Sequence, residues 1–267
     1  RSITKQGKRR FSCYNRKGTG LLASEWIPLF HNYGEEMKIC ILTIATNKYI
    51  QFVEELYDNI QENFLNGHEI ECLLFTDHEV ETSDNVRVCQ IEHEEWPIPT
   101  LKRYNYFMKE KEFISKFDYC FYFDVDMSIV DKVGDEVLED LVATMHPYQS
   151  FYSKGDRSYD RNPKCLAYVK PGDEGQHYYA GGFNGGKTEK FLEMSEVIAD
   201  RVTKDLDNGI IALWHDESHM NRYLIDNPPT VSLTPSYVFA EEQMNNPSYP
   251  YEPKIVALKK DHNELRS

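Results

Sequence analysis

Residues Phe121–Met127 read FYFDVDM, an apolar run that ends at two aspartates one residue apart. Aromatic side chains in this density suit a buried strand, and such a strand cannot carry unpaired charge along its length. Asp124 and Asp126 therefore belong at its open end, where two carboxylates can hold a hard divalent cation that also touches a phosphate. Carboxylates that follow a strand also cap helices or bind nothing, so this short motif alone leaves the site open.

The residues before this run alternate in type. KICILTIA, Lys38–Ala45, reads as a strand, and Ile50, Val53, Leu56, Tyr57, Ile60 and Phe64 then recur at helical spacing. Ile70–Phe75, followed by Thr76 and Asp77, and Val86–Ile91 read as two more strands, and Leu101–Ile114 as a helix. That order predicts an α/β fold, a mostly parallel twisted sheet flanked by helices, with ligands at the carboxyl ends of its strands. Residues 146–186 are rich in Tyr, Gly and charge, show little periodicity, and close on YYAGGFNGG, Tyr178–Gly186. Its four glycines in six residues permit close approach of backbone to a ligand, or a tight turn. A long helix is expected over Lys187–Asp207, with Phe191, Met194, Val197, Ile198 and Val202 as its inner face.

With 267 residues, 40% of them hydrophobic and 13% aromatic, the chain can bury one large core or two joined ones. A net charge of −14 argues against nonspecific binding to nucleic acid or to an anionic membrane, so an anionic substrate needs local cationic help. The 18 tyrosines suit a groove for hydroxylated ligands, or simply half-buried surface rings. Cys13, Cys40, Cys72, Cys89, Cys120 and Cys165 form no C-x-x-C pair, and reduced core thiols favour a cytoplasmic location. No stretch approaches the roughly 18 apolar residues of a membrane span. Residues 1–36 hold seven Lys or Arg against three Glu and lack sustained periodicity, which reads as a loosely attached or extraneous leader before a single catalytic domain over residues 37–267.

IIALWHDESHMNRYL, Ile210–Leu224, is the densest polar group in the sequence. His215 and His219 would share a helix face at zinc-site spacing, but H-D-E-S-H is not the H-E-x-x-H of zinc proteases. The competing reading gives Asp216 or Glu217 to a reaction centre, with Asp216 also able to cap the helix.

Taken together and in order, FTD at Phe75–Asp77, FYFDVDM, the pair His146-Pro147, DEG at Asp173–Gly175, YYAGGFNGG and HDESHMNRYL resemble glycosyltransferase family 6, the ABO blood-group and α1,3-galactosyltransferase relatives. The likeness runs from about Ile39 to Arg266. Shortness and the missing membrane anchor make the sequence look like a bacterial or phage member.

The resemblance implies a GT-A fold, a UDP-sugar donor and Mn²⁺, with Asp124 and Asp126 as metal ligands within the Asp124-Val125-Asp126 motif. It places Ile44, Thr46 and Tyr49 at the uridine, Arg103 at the donor sugar, and Lys260 and Arg266, in a tail folded over UDP, at the phosphates. It puts His146, Trp214, His215 and Asp216 around a β-galactoside acceptor, fucosylated or not, and Glu217 beneath the anomeric carbon of a retaining reaction. Such a carboxylate acts either as a covalent nucleophile or as support for an ion pair. Ala180, Gly181 and Gly182 match the position that separates GalNAc from Gal, and their small size points to UDP-GalNAc, with UDP-Gal next. Tyr148 departs from the small residue usual in relatives and would reshape the acceptor side. Two other classes fit parts of the pattern. D-V-D after a strand is similar to the haloacid-dehalogenase phosphatases, with Asp124 as nucleophile, although Ser128 and the depth of the motif in the chain do not match. A binding protein that has lost turnover would keep the motifs and hold UDP or glycan without reaction.

Overall fold

The computed structural model describes residues 35–81 and 84–265, apart from the side chains of residues 262 and 263. The leader read over residues 1–36 lies outside the described residues except for its last two, as do Cys13 and the phosphate ligand expected at Arg266. The strands are β1 Lys38–Ile44, β2 Glu69–Thr76, β3 Val86–Gln90, β4 Tyr119–Asp124, β5 Met127–Ile129, β6 Leu141–Met145, β7 Tyr179–Lys187, β8 Val231–Leu233, β9 Phe239–Ala240 and β10 Ile255–Ala257. The helices are α1 Val53–Asn63, α2 Ile98–Leu101, α3 Arg103–Lys109, α4 Lys111–Ile114, α5 Thr188–Asp207, α6 His215–Asp226 and α7 His262–Leu265. The expected helix over Leu101–Ile114 is thus broken into short pieces, with Lys102 and Glu110 leaving helical geometry at ψ 8° and 15°.

Seven strands form one sheet in the order β3-β2-β1-β4-β7-β6-β8, parallel except for β7, which runs against β4 and β6. Both faces are covered, so the strands read as continuous apolar runs rather than alternating ones. Along β4, Tyr119, Phe121 and Phe123 enter the core under α1, while Cys120 and Tyr122 enter the one under α3 and α5. Phe64 meets Phe121, Phe123 and Phe183 edge-on at centroid distances of 5.1–6.0 Å, an arrangement that aromatic quadrupoles favour. A smaller sheet, β5-β10-β9, brings the carboxyl-terminal segment back beside β4. Among the described residues no helix is long and apolar enough to cross a membrane.

The order 3-2-1-4 places a switch point between β1 and β4, where β1 is joined on either side by strands reached in opposite directions. Ligands of open α/β sheets bind at such a crevice, outside the carboxyl ends of the strands. Ile44 closes β1 in register with Asp124 at the close of β4, so the two expected ligand positions meet there.

The glycine-rich stretch is neither a turn nor a loop but β7, a central strand buried from Tyr179 to Gly186. Its last two glycines are demanded by their neighbours. A Cβ on Gly185 would lie 2.3 Å from the Phe121 ring and 2.4 Å from the Cys120 carbonyl oxygen, and Gly186 has φ +133° against the Asp140 carbonyl. Gly185→Ala is therefore expected to lower stability by roughly 2–3 kcal/mol, read as a fall in Tm, because backbone of the neighbouring strand has to move. An unchanged Tm would show that β4 and β7 can separate without loss.

Candidate active site

A cleft of about 500 Å³ opens at the switch point. Ile44, Thr46, Tyr49, His93, Trp96, Trp214 and His215 line it, the Trp96 and His215 rings meeting edge-on at 4.9 Å. Asp124, Val125 and Asp126 form the floor with Arg103 and Tyr122, and Lys260 and Leu265 close one end. The carboxyl-terminal segment is pinned there by the Leu258 N–H on the Asp126 carbonyl at 3.0 Å, the Lys260 ammonium on the Asp126 carboxylate, and Lys48 Nζ on the Glu264 carbonyl at 2.9 Å. Asp77, the end of FTD, accepts from Asn47 N–H at 3.0 Å and meets His93 Nδ1 at 2.5 Å, so it holds the rims after β1 and β3 together. His93 and Asn47 belong to the cleft but stand in no motif, and only the fold brings them there.

Arg103 is the centre of the polar network. It is 4% exposed, donates from Nη1 to the Gly181 carbonyl at 2.8 Å and from Nη2 to Asp124 Oδ1 at 3.0 Å, and lies 3.1 Å from Asp216 Oδ2. Burial alone would pull its pKa down, but Asp216, Tyr122 and Asp124 raise it instead, and it stays charged. Asp216, in the first turn of α6, is 2% exposed. Burial pushes it up to about 6 against the pull of Arg103. Glu217, half-buried beside it, accepts the Gly181 N–H at 2.9 Å, and burial pushes it up to about 7 despite that bond. Gly181 is thus read by both sides of the site, its carbonyl by Arg103 and its N–H by Glu217. Ala180 packs in the core, and a side chain on Gly182 would meet the Met127 methyl at 2.4 Å and Asp124 Oδ2 at 3.2 Å. The room expected beside Gly182 is filled by Met127.

His146 sits apart from the cleft lining, its Nδ1 accepting from the N–H groups of Tyr148 and Gln149 at 3.2 and 3.3 Å, and burial lowers its pKa to about 4. It is a neutral imidazole over the working pH range. The zinc spacing does not assemble. His215, at φ +51°, opens α6 on the cleft side, whereas His219 is fully buried 3.6 Å from Asp205. Cys165, Asp205 and His219 bring ligand atoms within 4.8 Å of one another. A closed zinc site takes four ligands, and the neighbouring Asp160 already accepts the N–H groups of Asn162 and Leu213. The Cys165 thiol and the Leu166 N–H both donate to Asp205, so the cluster braces the 157–170 segment against α5.

An open α/β sheet whose switch-point cleft holds paired carboxylates and a buried arginine, with Asp216 and Glu217 behind it, frames the site, and comparison with known proteins makes the chain a glycosyltransferase. Residues 28–267 match the family described as glycosyltransferase family 6, and the chain belongs to that family. It is 34% identical over 244 residues to histo-blood group ABO system transferase 1 of Rattus norvegicus, covering 86% of this chain and 68% of the relative. It is 29% identical over 248 residues to globoside alpha-1,3-N-acetylgalactosaminyltransferase 1 of Homo sapiens, covering 86% and 69%. The O-antigen biosynthesis glycosyltransferase WbnI of Escherichia coli is 31% identical over 220 residues, covering 79% of this chain and 91% of that one. Membership sets aside the phosphatase reading of Asp124.

Proposed function

We propose that this enzyme is a retaining, Mn²⁺-dependent transferase that moves GalNAc or Gal from a UDP-sugar, in α1,3 linkage, to a β-galactoside with or without a fucose branch. The observation that carries this reading is one network at the switch point, in which Arg103 joins Asp124, Asp216 and the Gly181 carbonyl while Glu217 accepts the Gly181 N–H. The name of the human relative, an alpha-1,3-N-acetylgalactosaminyltransferase, supports the donor and the linkage.

Ile44, Thr46 and Tyr49 would take the uridine, and Lys260, with Arg266, the phosphates. The donor set suits a hard cation, since both motif residues offer carboxylate oxygens and Asp126 already draws an ammonium onto itself. Asp124 and Asp126 would hold the ion, which neutralises charge on the leaving diphosphate. Arg103 would position the sugar, and Gly181, held by Arg103 and Glu217, would border it. Trp214 and His215 would face the acceptor from the cleft, His146 would serve it from the segment beside Tyr178, and Asp216 is held by Arg103. Ionised Glu217 would supply electron density to the anomeric carbon, either by covalent capture as UDP leaves or by supporting an ion pair in which the departing UDP takes the acceptor proton. Residues 37–130 serve the nucleotide and residues 131–267 the acceptor within one catalytic domain. The described cysteines are all free and buried, which suits the reducing cytoplasm.

UDP release from UDP-GalNAc and UDP-Gal, with lactose or 2′-fucosyllactose as acceptor, tests the reading. Release is expected with Mn²⁺, to fall by about 100-fold or more in excess chelator, and to return on adding Mn²⁺ back. Full activity in chelator would remove the cation, and no release from either donor would remove the reaction.

A further inference from the structure

Tyr122 stands two residues before Asp124 on β4, so the two side chains leave the strand on the same face. Its ring is 2% exposed and packs against Phe107 at 5.6 Å, yet its edge reaches the cleft. The hydroxyl donates to Asp124 Oδ1 at 2.6 Å, and Arg103 Nη2 donates to the same oxygen at 3.0 Å. The guanidinium carbon of Arg103 lies 3.9 Å over the Tyr122 ring. Ring, guanidinium and carboxylate thus close a triangle in which each member fixes the other two. The terminal torsion of an aspartate is broad and settles where its oxygens find donors. Here both donors fall on Oδ1 among the described residues, and this fixes the plane of the carboxylate and leaves Oδ2 on the Met127 and Gly182 side.

We propose that Tyr122 is a positioning residue of the transfer site, orienting the Asp124 carboxylate toward the divalent cation while its ring carries Arg103 toward the donor. This rests on the cation and UDP-sugar reading given above. Hydrogen-bond partners of metal-binding carboxylates set ligand orientation, and losing one weakens metal affinity by about 10–100-fold.

Tyr122→Phe in the full chain keeps the ring, its packing and the Arg103 contact, and removes one O–H donor. Mn²⁺ binding in the presence of UDP, followed by the paramagnetic resonance signal of free Mn²⁺, is expected to weaken by about 10-fold or more. Tm and the affinity for UDP without metal should stay at wild-type values, which a purely structural role for the hydroxyl would not allow. Equal Mn²⁺ affinity in the variant and the wild type would overturn the positioning role while leaving the cation reading intact. A wild-type chain that binds no Mn²⁺ with UDP would overturn both. If Tyr122→Phe lowers Tm, Asp124→Asn, which removes the carboxylate itself, gives the ceiling. A Tyr122→Phe loss beyond that ceiling counts against orientation of Asp124.

Discussion

Glu217→Gln is expected to leave UDP affinity within roughly twofold and to lower turnover by about 10²–10⁴-fold. The substitution keeps the shape of the side chain, and its carbonyl oxygen can still accept the Gly181 N–H that now binds Glu217 at 2.9 Å. What it removes is negative charge. The same change is expected to raise Tm at pH 8, for a reason of linkage. Burial lifts the folded-state pKa of Glu217 from 4.5 to about 7, so between these values the folded protein holds a proton that the unfolded chain has lost. Stability therefore declines as pH rises from about 4.5 to 7, and above 7 the ionised carboxylate is carried at a cost that glutamine does not have. A variant that is less active yet more stable at pH 8 is the expected pair of results. Near-normal transfer would take Glu217 out of the mechanism, and a fall in Tm would mean that its charge is stabilised where it stands.

Arg103→Leu is expected to abolish measurable transfer and to destabilise the chain by about 3–5 kcal/mol, a fall in Tm of roughly 6–20 °C. One cation serves Asp124 at 3.0 Å and the buried Asp216 at 3.1 Å, and removing it leaves both carboxylates without their shared counter-charge. The deficit should narrow below about pH 6, where Asp216 takes up a proton in the wild type as well. Adding Asp216→Asn to Arg103→Leu should recover much of the Tm and none of the turnover. Recovery of both would mean that Arg103 is only a counter-charge to Asp216.

The first half of the sheet was legible because its signals are local. Lys38–Ala45, Ile70–Phe75 and Val86–Ile91 are apolar runs of strand length, and they match β1, β2 and β3 to within a residue or two at each end. The long helix α5 was legible for the same reason. The strand β7 was not, because its glycines answer to residues on other elements, Gly185 to Phe121 and Cys120 and Gly186 to Asp140, rather than to their own neighbours. The short β6 next to it, Leu141–Met145, went unread with it. At the site, the acids of DVD and HDES announce themselves by sitting beside apolar residues. Tyr122 does not, since an aromatic residue inside a buried run looks like packing until its hydroxyl is found on Asp124. The i, i+2 alternation of a strand, applied backwards from Asp124, was the one signal that pointed to it.

The direction of β7 has a bearing on how such an enzyme can change its acceptor. Since this strand alone runs against the rest of the sheet, its beginning, not its end, arrives among the carboxyl termini of its parallel neighbours. Whatever precedes Tyr179 is delivered straight to the side of the cleft where Gly181 meets Glu217. The irregular 146–178 segment can thus lengthen, shorten or swap side chains on that side, while the register of β1 with β4 stays as it is. New specificities can be tried on one bank of the cleft without moving the other.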